Sequence, residues 1–317
     1  MNNKMEQLRN SLSKAVESTT EVAQGMGITY DEEIMMKTYQ YSPLLNVLDN
    51  KGRCIDVDTA NVAFFKETPT NAATFINETE NIPDFAVTTY TEVADRMKTI
   101  AEGISISRMA QMGTDYADLL EREIQRAYFQ VNSLIDETLL QGKGTSAKKD
   151  FKAVIDQTGI NTDSTGGAVT EDKIDDMLST IIDENGGHPD IIVTDNFVAK
   201  QLKAIAAPYR RFNDKTDIGL GFRVSTYESP DGLEIPIIVD KNVPVTSNAH
   251  TLAVLDSSAI EVKFLMRPSL ITDLPAQNLA YNQAVASYVT ACNIAPFKCG
   301  VISGITAPST SNGGENH

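Results

Sequence analysis

The sequence predicts an α+β fold in which sheets hang on one long spine helix, and three observations carry that prediction. The first is the stretch 114–141, TDYADLLEREIQRAYFQVNSLIDETLLQ. Its apolar residues Leu120, Ile124, Ala127, Val131, Leu134 and Leu139 fall on one helical face, and about 28 residues would span roughly 42 Å. Thr114 and Asp115 after Gly113 offer a capped start, and Gly142 offers the left-handed residue at the end. Asp118 with Arg122 and Glu123 with Arg126 add surface pairs. The second observation is a series of short segments rich in β-formers on both sides of that helix. The third is a run of helix, strand, helix and further strands across residues 168–257, the pattern of a compact α/β layer. Taken alone, the long stripe also fits an ordinary core helix.

Composition narrows the function. At 317 residues, with 41% hydrophobic and 22% charged content, the chain can bury a full core in one domain or two. No apolar run approaches a membrane span, and the opening MNNKMEQLRN lacks a signal-peptide core. No membrane association and a cytoplasmic origin are therefore expected. The 43 acidic residues outnumber the 27 basic ones, a formal charge of −16, which opposes tight binding to phosphate. A wall that encloses nucleic acid without gripping it stays compatible with that charge. Cys54, Cys292 and Cys299 form no C-x-x-C pair and read as buried free thiols in a reducing compartment. The only histidines are His188, His250 and His317, and no nucleotide or nucleophile motif occurs. The expectation is a non-enzyme, with no catalytic residue, cofactor or metal.

In chain order, Met5, Leu8, Leu12 and Val16 form a short apolar stripe that needs a partner surface. Ser42 can cap and Pro43 can open a helix in SPLLNVLD, and residues 1–48 together read as an N-terminal arm. Residues 49–92 read as a long two-stranded hairpin, with β-formers in GRCIDVD, VAFFKET and FAVTTYT between turn-rich TPTNAAT and NETENIPD. An isolated hairpin is marginal in water, so this one leans on something else. MKTIAEGISISR, residues 97–108, alternates as a strand leading into the long helix. The loop GKGTSAKK, residues 142–149, lacks the spacing of a phosphate loop and reads as a solvated turn.

NTDSTGGA, residues 161–168, marks a boundary. Beyond it Thr170 caps TEDKIDDMLSTIIDENG, followed by DIIVTD, NFVAKQLKAIAAPYRRF, GFRVSTY, EIPIIVD and TLAVLD. No glycine-rich turn follows DIIVTD or PIIVD, which argues against a dinucleotide site. IEVKFLMRPSLITDLPA and LAYNQAVASYVTACNIAPFKCGVISGIT read as strands returning beside the long helix, and PSTSNGGENH as a disordered tail.

Arm, hairpin, spine helix, α/β unit and returning strands, in that order, resemble the tailed-phage major capsid protein family, whose Hong Kong 97-like capsid fold is shared with encapsulins. AEGISISRMAQMG with DYADLLEREIQRAYFQVNSLIDETLLQGKGT resembles the family's leading strand, spine helix and following loop. HPDIIVTDNFVAKQLKAI and GLEIPIIVDKNVPV resemble steps of its axial domain, and LAVLDSSAIEVKFLMRPSLITDL with VTACNIAPFKCGVISGIT its closing strands. The resemblance covers about residues 34–306. It implies an extended loop at 49–92 lying over an adjacent subunit. It also implies a peripheral domain at 93–167 and 258–306, an axial α/β domain at 168–257, and a tail at 307–317. The implied function is self-assembly as hexamers and pentamers into an icosahedral shell around double-stranded DNA, in the cytoplasm of a bacterial host. Scaffolding, portal and decoration proteins are further partners the resemblance implies. An encapsulin-type cargo compartment is the alternative on the same fold, and a soluble α/β enzyme with a carboxylate site the alternative of another class.

Several residues stand out. Lys66 and Glu67 in the hairpin could bridge to Arg267 or Asp273 of a neighbour, or form a solvated pair of little value. Tyr209, Arg210 and Arg211 could face the capsomer centre, or simply complement a helix end. Some members of the fold cross-link through a lysine, an asparagine and an acid. No motif aligns Lys66 and Asn293 with that chemistry, and Asn293 reads as a turn residue before Pro296. Asp190, Asp195 and Asp256 read as strand-end caps in place of metal ligands.

Overall fold

The computed structural model describes residues 42–66, 75, 77–78, 91–107, 118–145, 147–205, 216–217, 223–224, 226–229, 232, 234–272, 274 and 280–307. Helix α1 (Pro43–Asn50) opens them, followed by β1 (Cys54–Asp56), β2 (Asn61–Lys66), β3 (Thr91–Arg96), β4 (Lys98–Ser107) and the long helix α2 (Asp118–Gln141). Then come β5 (Asn161–Asp163), α3 (Glu171–Ser179), β6 (Ile191–Thr194) and α4 (Asn196–Ile205). Short strands β7 (Thr216–Asp217), β8 (Arg223–Val224) and β9 (Thr226–Glu228) lead to β10 (Glu234–Val239) and β11 (His250–Leu255). The long pair β12 (Ile260–Ile271) and β13 (Ala280–Asn293) precedes β14 (Gly300–Ile305).

Among the described residues the strands form two larger sheets and two two-stranded ones. A four-stranded sheet runs β1-β12-β13-β4, and a six-stranded sheet runs β5-β14-β11-β6-β10-β9. β2 pairs antiparallel with β3, from Asn61 opposite Arg96 to Lys66 opposite Thr91, and β7 pairs with β8. Three expectations need correcting here. GRCIDVD joins no hairpin, because β1 runs parallel to β12 with Cys54 opposite Val262. FKCGVISGIT does not return beside the long helix, because β14 pairs with β11 and β5 in the other sheet. The presumed boundary at 161–168 begins inside that sheet, as β5. Pro268, which cannot donate to a ladder, falls at an irregularity of β12 between Met266 and Ser269, beyond the reach of β1.

α2 is 24 residues, about 36 Å, long over its described part; residues 111–117 lie outside the described residues. Its buried line is Ala127, Val131, Ile135 and Leu139, one residue every four, with Leu120 and Ile124 packed against the same core. Leu134, expected on that face, is 46% exposed; Ile135 takes its place. Glu123 and Arg126 do pair, at 3.7 Å. Gly142 is not left-handed as expected. It is there for space: a Cβ would lie 2.2 Å from the Phe151 carbonyl oxygen and 2.6 Å from that of Thr138. The next loop doubles back against the helix end, with Ala153 N donating to Gly142 O at 2.8 Å and Val154 N to Leu139 O at 2.9 Å. Its turn closes on Asp150, which accepts from the amides of Lys143 and Thr145.

α1 also departs from expectation. Pro43 opens it, but Ser42 makes no side-chain capping bond. Leu44, Leu45, Val47 and Leu48 are all buried in the cluster that includes the α2 line, so residues 43–48 are core and not arm. Residues 1–41 lie outside the described residues. A second cluster joins α3 and α4 to the six-stranded sheet through Ile174, Leu178, Ile181, Val198, Leu252 and Val254. Thr170 caps α3 by accepting from Lys173 N at 3.4 Å. Thr170→Ala is expected to lower stability by about 1 kcal/mol, read from the urea unfolding midpoint.

Candidate assembly surface

Lys66 and Arg267, two of the candidate contact residues, lie at the hairpin root and at a joint behind it. β2 alternates, and the alternation sorts its side chains: Val62 and Phe64 go inward while Phe65 is 59% exposed. Phe64, 1% exposed, packs in a small cluster with Val62, Met97 and Cys292, edged by Leu265, Tyr288 and Ile294. Lys263 Nζ sits 4.2 Å above the Phe64 ring and donates to Ala63 O at 3.0 Å. On β3, Asp95 accepts from Thr290 Oγ1 at 2.7 Å and from Lys98 Nζ at 3.1 Å. Lys66 Nζ donates to Gln157 Oε1 at 2.9 Å, fastening the hairpin to the loop after α2. The root is thus held by its own chain on both strands. Beyond it Phe75 is fully exposed.

Arg267 also works within the chain. Its guanidinium donates to Asp56 Oδ1 at 2.8 Å, Asp49 Oδ1 at 3.0 Å and Cys54 O at 3.2 Å, so it clasps α1, β1 and β12. Lys66 and Arg267 therefore have separate partners in this chain. Glu67, Asp273, Tyr209, Arg210 and Arg211 lie outside the described residues. Asn293 is buried; its Oδ1 accepts from Ala295 N at 3.2 Å and its Nδ2 donates to Val154 O at 3.3 Å, the work of a turn residue.

Asp190, Asp195 and Asp256 hold backbone and neighbouring side chains. Asp256 accepts from the amides of Ser258 and His188. Asp195 caps α4 through Val198 N and meets His250 Nδ1, whose ring stacks on Phe197. Asp190 accepts from Ser257 N and Oγ and from Lys51 Nζ at 2.7 Å, tying the end of α1 to the six-stranded sheet. Among the described residues no group of three or more His, Cys, Asp or Glu is placed to hold a metal.

A second tie between α1 and the rest escaped the sequence reading. Asp136 on α2 is wholly buried, with Oδ1 accepting from Leu45 N at 2.8 Å and Oδ2 from Asn242 Nδ2 at 3.0 Å. Asp240, equally buried, accepts from Asn242 N at 2.8 Å. Burial, then the hydrogen bond and the charge of Asp240, push the Asp136 pKa well above the usual carboxylate range. The only signal in the sequence is an acid beside Ile135, and exposed acids are common on helices.

A long helix against a four-stranded sheet, a rooted hairpin and an α/β layer together define the class of Hong Kong 97-like shell proteins. Among solved structures the chain is similar to a protein of the cyanophage A-1(L) capsid asymmetric unit, with TM-score 0.63 and 12% identity over 92% of this chain and 99% of that one. It is also similar to the SrpI encapsulin of Synechococcus elongatus PCC 7942, with TM-score 0.56 and 11% identity over 94% and 95%. A protein of Mycobacterium phage Adephagia gives 0.55 and 14% over 92% and 98%. No curated protein matches the sequence. The family model of the SU10 major capsid protein matches residues 12–306, and the chain belongs to that family. It is a tailed-phage major capsid protein: structural and not enzymatic, self-assembling, and located in the virion capsid.

Proposed function

We propose that copies of this chain associate as hexamers and pentamers that close into an icosahedral shell around double-stranded DNA, in the cytoplasm of a bacterial host. The observation that carries this reading is the hairpin: its root is fastened to its own body while Phe65 and Phe75 are left 59% and 108% exposed. Exposed phenylalanines favour a surface that covers them. In this reading the part of 49–92 beyond β1 lies over an adjacent subunit, 93–160 with β12 and β13 form the peripheral domain, and 168–257 form the axial domain together with β5 and β14, which complete its sheet. Residues 1–48 would include the arm, and Tyr209, Arg210 and Arg211 would face the capsomer centre. Lys66, Glu67, Arg267 and Asp273 would lie along the contact between subunits, with Arg267 presenting a guanidinium that is 44% exposed and already oriented by Asp49 and Asp56. Scaffolding, portal and decoration proteins would be further partners. The formal charge of −16 supports a wall that confines DNA without adhering to it.

Expression of the chain alone in bacteria, followed by negative-stain electron microscopy and light scattering, tests the reading. Closed shells or rings are expected. A monomer that stays monomeric when the candidate scaffold is added would overturn it. The double variant Phe65→Ser, Phe75→Ser is expected to lower shell yield by about tenfold or more at equal concentration. The unfolding midpoint of its unassembled subunit should stay close to wild type.

A further inference from the structure

Asp136 and Asp240 are both fully buried and meet where α1, α2 and the loop after β10 converge. As acceptors they are unequally served. Asp136 receives Leu45 N and Asn242 Nδ2 on its two oxygens, whereas Asp240 Oδ2 is buried with no donor. Two ionised carboxylates facing each other in a buried site would repel strongly, and an orphan buried acceptor adds its own cost. A proton on Asp136, turned towards Asp240, removes both problems at once by supplying the missing donor. The ionisable group facing Asp136 is Asp240; α1 presents only the Leu45 amide, and Asn242 its side-chain amide. Glu137 and Lys241, the charged residues beside the pair in sequence, are exposed. Asp49 and Lys51 of the α1 end are engaged by Arg267 and Asp190, and Asp195 after β6 by His250.

We propose that this pair is a proton-held latch: one shared proton keeps α1 and the six-stranded sheet fastened to α2, and loss of the proton releases them. The closed joint retains a proton that an exposed aspartic acid gives up near pH 3.9. Opening therefore releases a proton across the interval between the open and closed pKa values. Within that interval the opening equilibrium rises about tenfold per unit of pH, and above the closed pKa it levels off. Acid keeps the latch shut; alkali opens it. This direction is opposite to that of an ordinary salt-bridged aspartate, whose contribution is lost as pH falls. The segment released first would be α1, which leads directly through β1 into the hairpin, so the latch couples pH to the part of the subunit exposed for partners.

The test is hydrogen exchange read by mass spectrometry on the full chain, from mildly acidic to mildly alkaline pH, with the intrinsic pH dependence of exchange divided out. Peptides covering 43–50 and 240–243 should show an opening constant rising about tenfold per pH unit in wild type. In Asp240→Asn the new amide donates to Asp136, which then ionises as a carboxylate served by three donors, so the same peptides should show a flat profile. Parallel profiles in the two proteins would overturn the latch. Infrared spectroscopy gives a second reading that needs no variant. A buried protonated-carboxyl band should be present in wild type at the acidic end of that range and vanish over the same pH range in which peptide 43–50 loses protection. Absence of that band at the acidic end, where peptide 43–50 is protected, or its loss at a pH unrelated to the exchange, would equally overturn the proposal.

Discussion

Phe64→Ala is expected to destabilise the subunit by about 3–5 kcal/mol, the range for emptying a phenylalanine site in a packed core. The ring is 1% exposed, lies under the Lys263 ammonium and fills the space between β2 and the strands carrying Cys292 and Leu265. Its removal leaves a cavity at the hairpin root and strips Lys263 of its aromatic partner. The main core around Ile135 and Leu139 makes no use of Phe64, so the damage concentrates where the hairpin is fastened. Urea unfolding should report the stability loss, and shell yield should fall further than that loss alone explains. Phe65→Ala is the control from the opposite face. It should leave stability within about 0.5 kcal/mol while still reducing assembly.

Gly142→Ala is expected to cost about 3 kcal/mol or more, at the upper end of overpacking substitutions, because the atoms it meets belong to the backbone. The added Cβ would sit 2.2 Å from Phe151 O and 2.6 Å from Thr138 O, and neither can swing aside. Relief requires the loop at 151–154 to lift away from the end of α2. That would break the bond from Ala153 N to Gly142 O and the one from Val154 N to Leu139 O, and uncover Phe151 and Val154. The expected outcome is a protein found largely in the insoluble fraction, with a lowered thermal midpoint in whatever is recovered. A midpoint equal to wild type would mean that the helix end is not packed as described.

These two sites show why some of the fold was legible and some was not. Periodicity located α2, β4, β6, β10 to β14 and the capped start of α3, because each pattern reports on the chain's own geometry. Partnership is a different matter. Cys54–Asp56 looked like hairpin because it adjoins the hairpin, yet its partner is β12, some two hundred residues later. The glycine at 142 was expected for its dihedral freedom and is needed for its missing side chain, which only the returning loop makes plain. On α2, Leu134 and Ile135 are both apolar, and which one turns inward depends on where β4 and β13 lie. Asp136 is the sharpest case: an acid on a long helix belongs to the surface until a second acid and an amide from residue 45 enclose it. Lys66 and Arg267 could be singled out as charges of interest, but not their bonds to Gln157, Asp49 and Asp56 within the same chain.

The placement of β14 sets a timetable. β5 at 161–163 occupies an edge of the six-stranded sheet, and its strand partner among the described residues is β14, roughly 140 residues further along the chain. A ribosome that has translated every helix of the α/β layer has still not made the strand that joins β5 to β11. The layer thus remains incomplete until residue 305 emerges, and it cannot ripen ahead of the rest as a separate early domain. Each subunit then becomes competent in one late step, when synthesis of its body is finished.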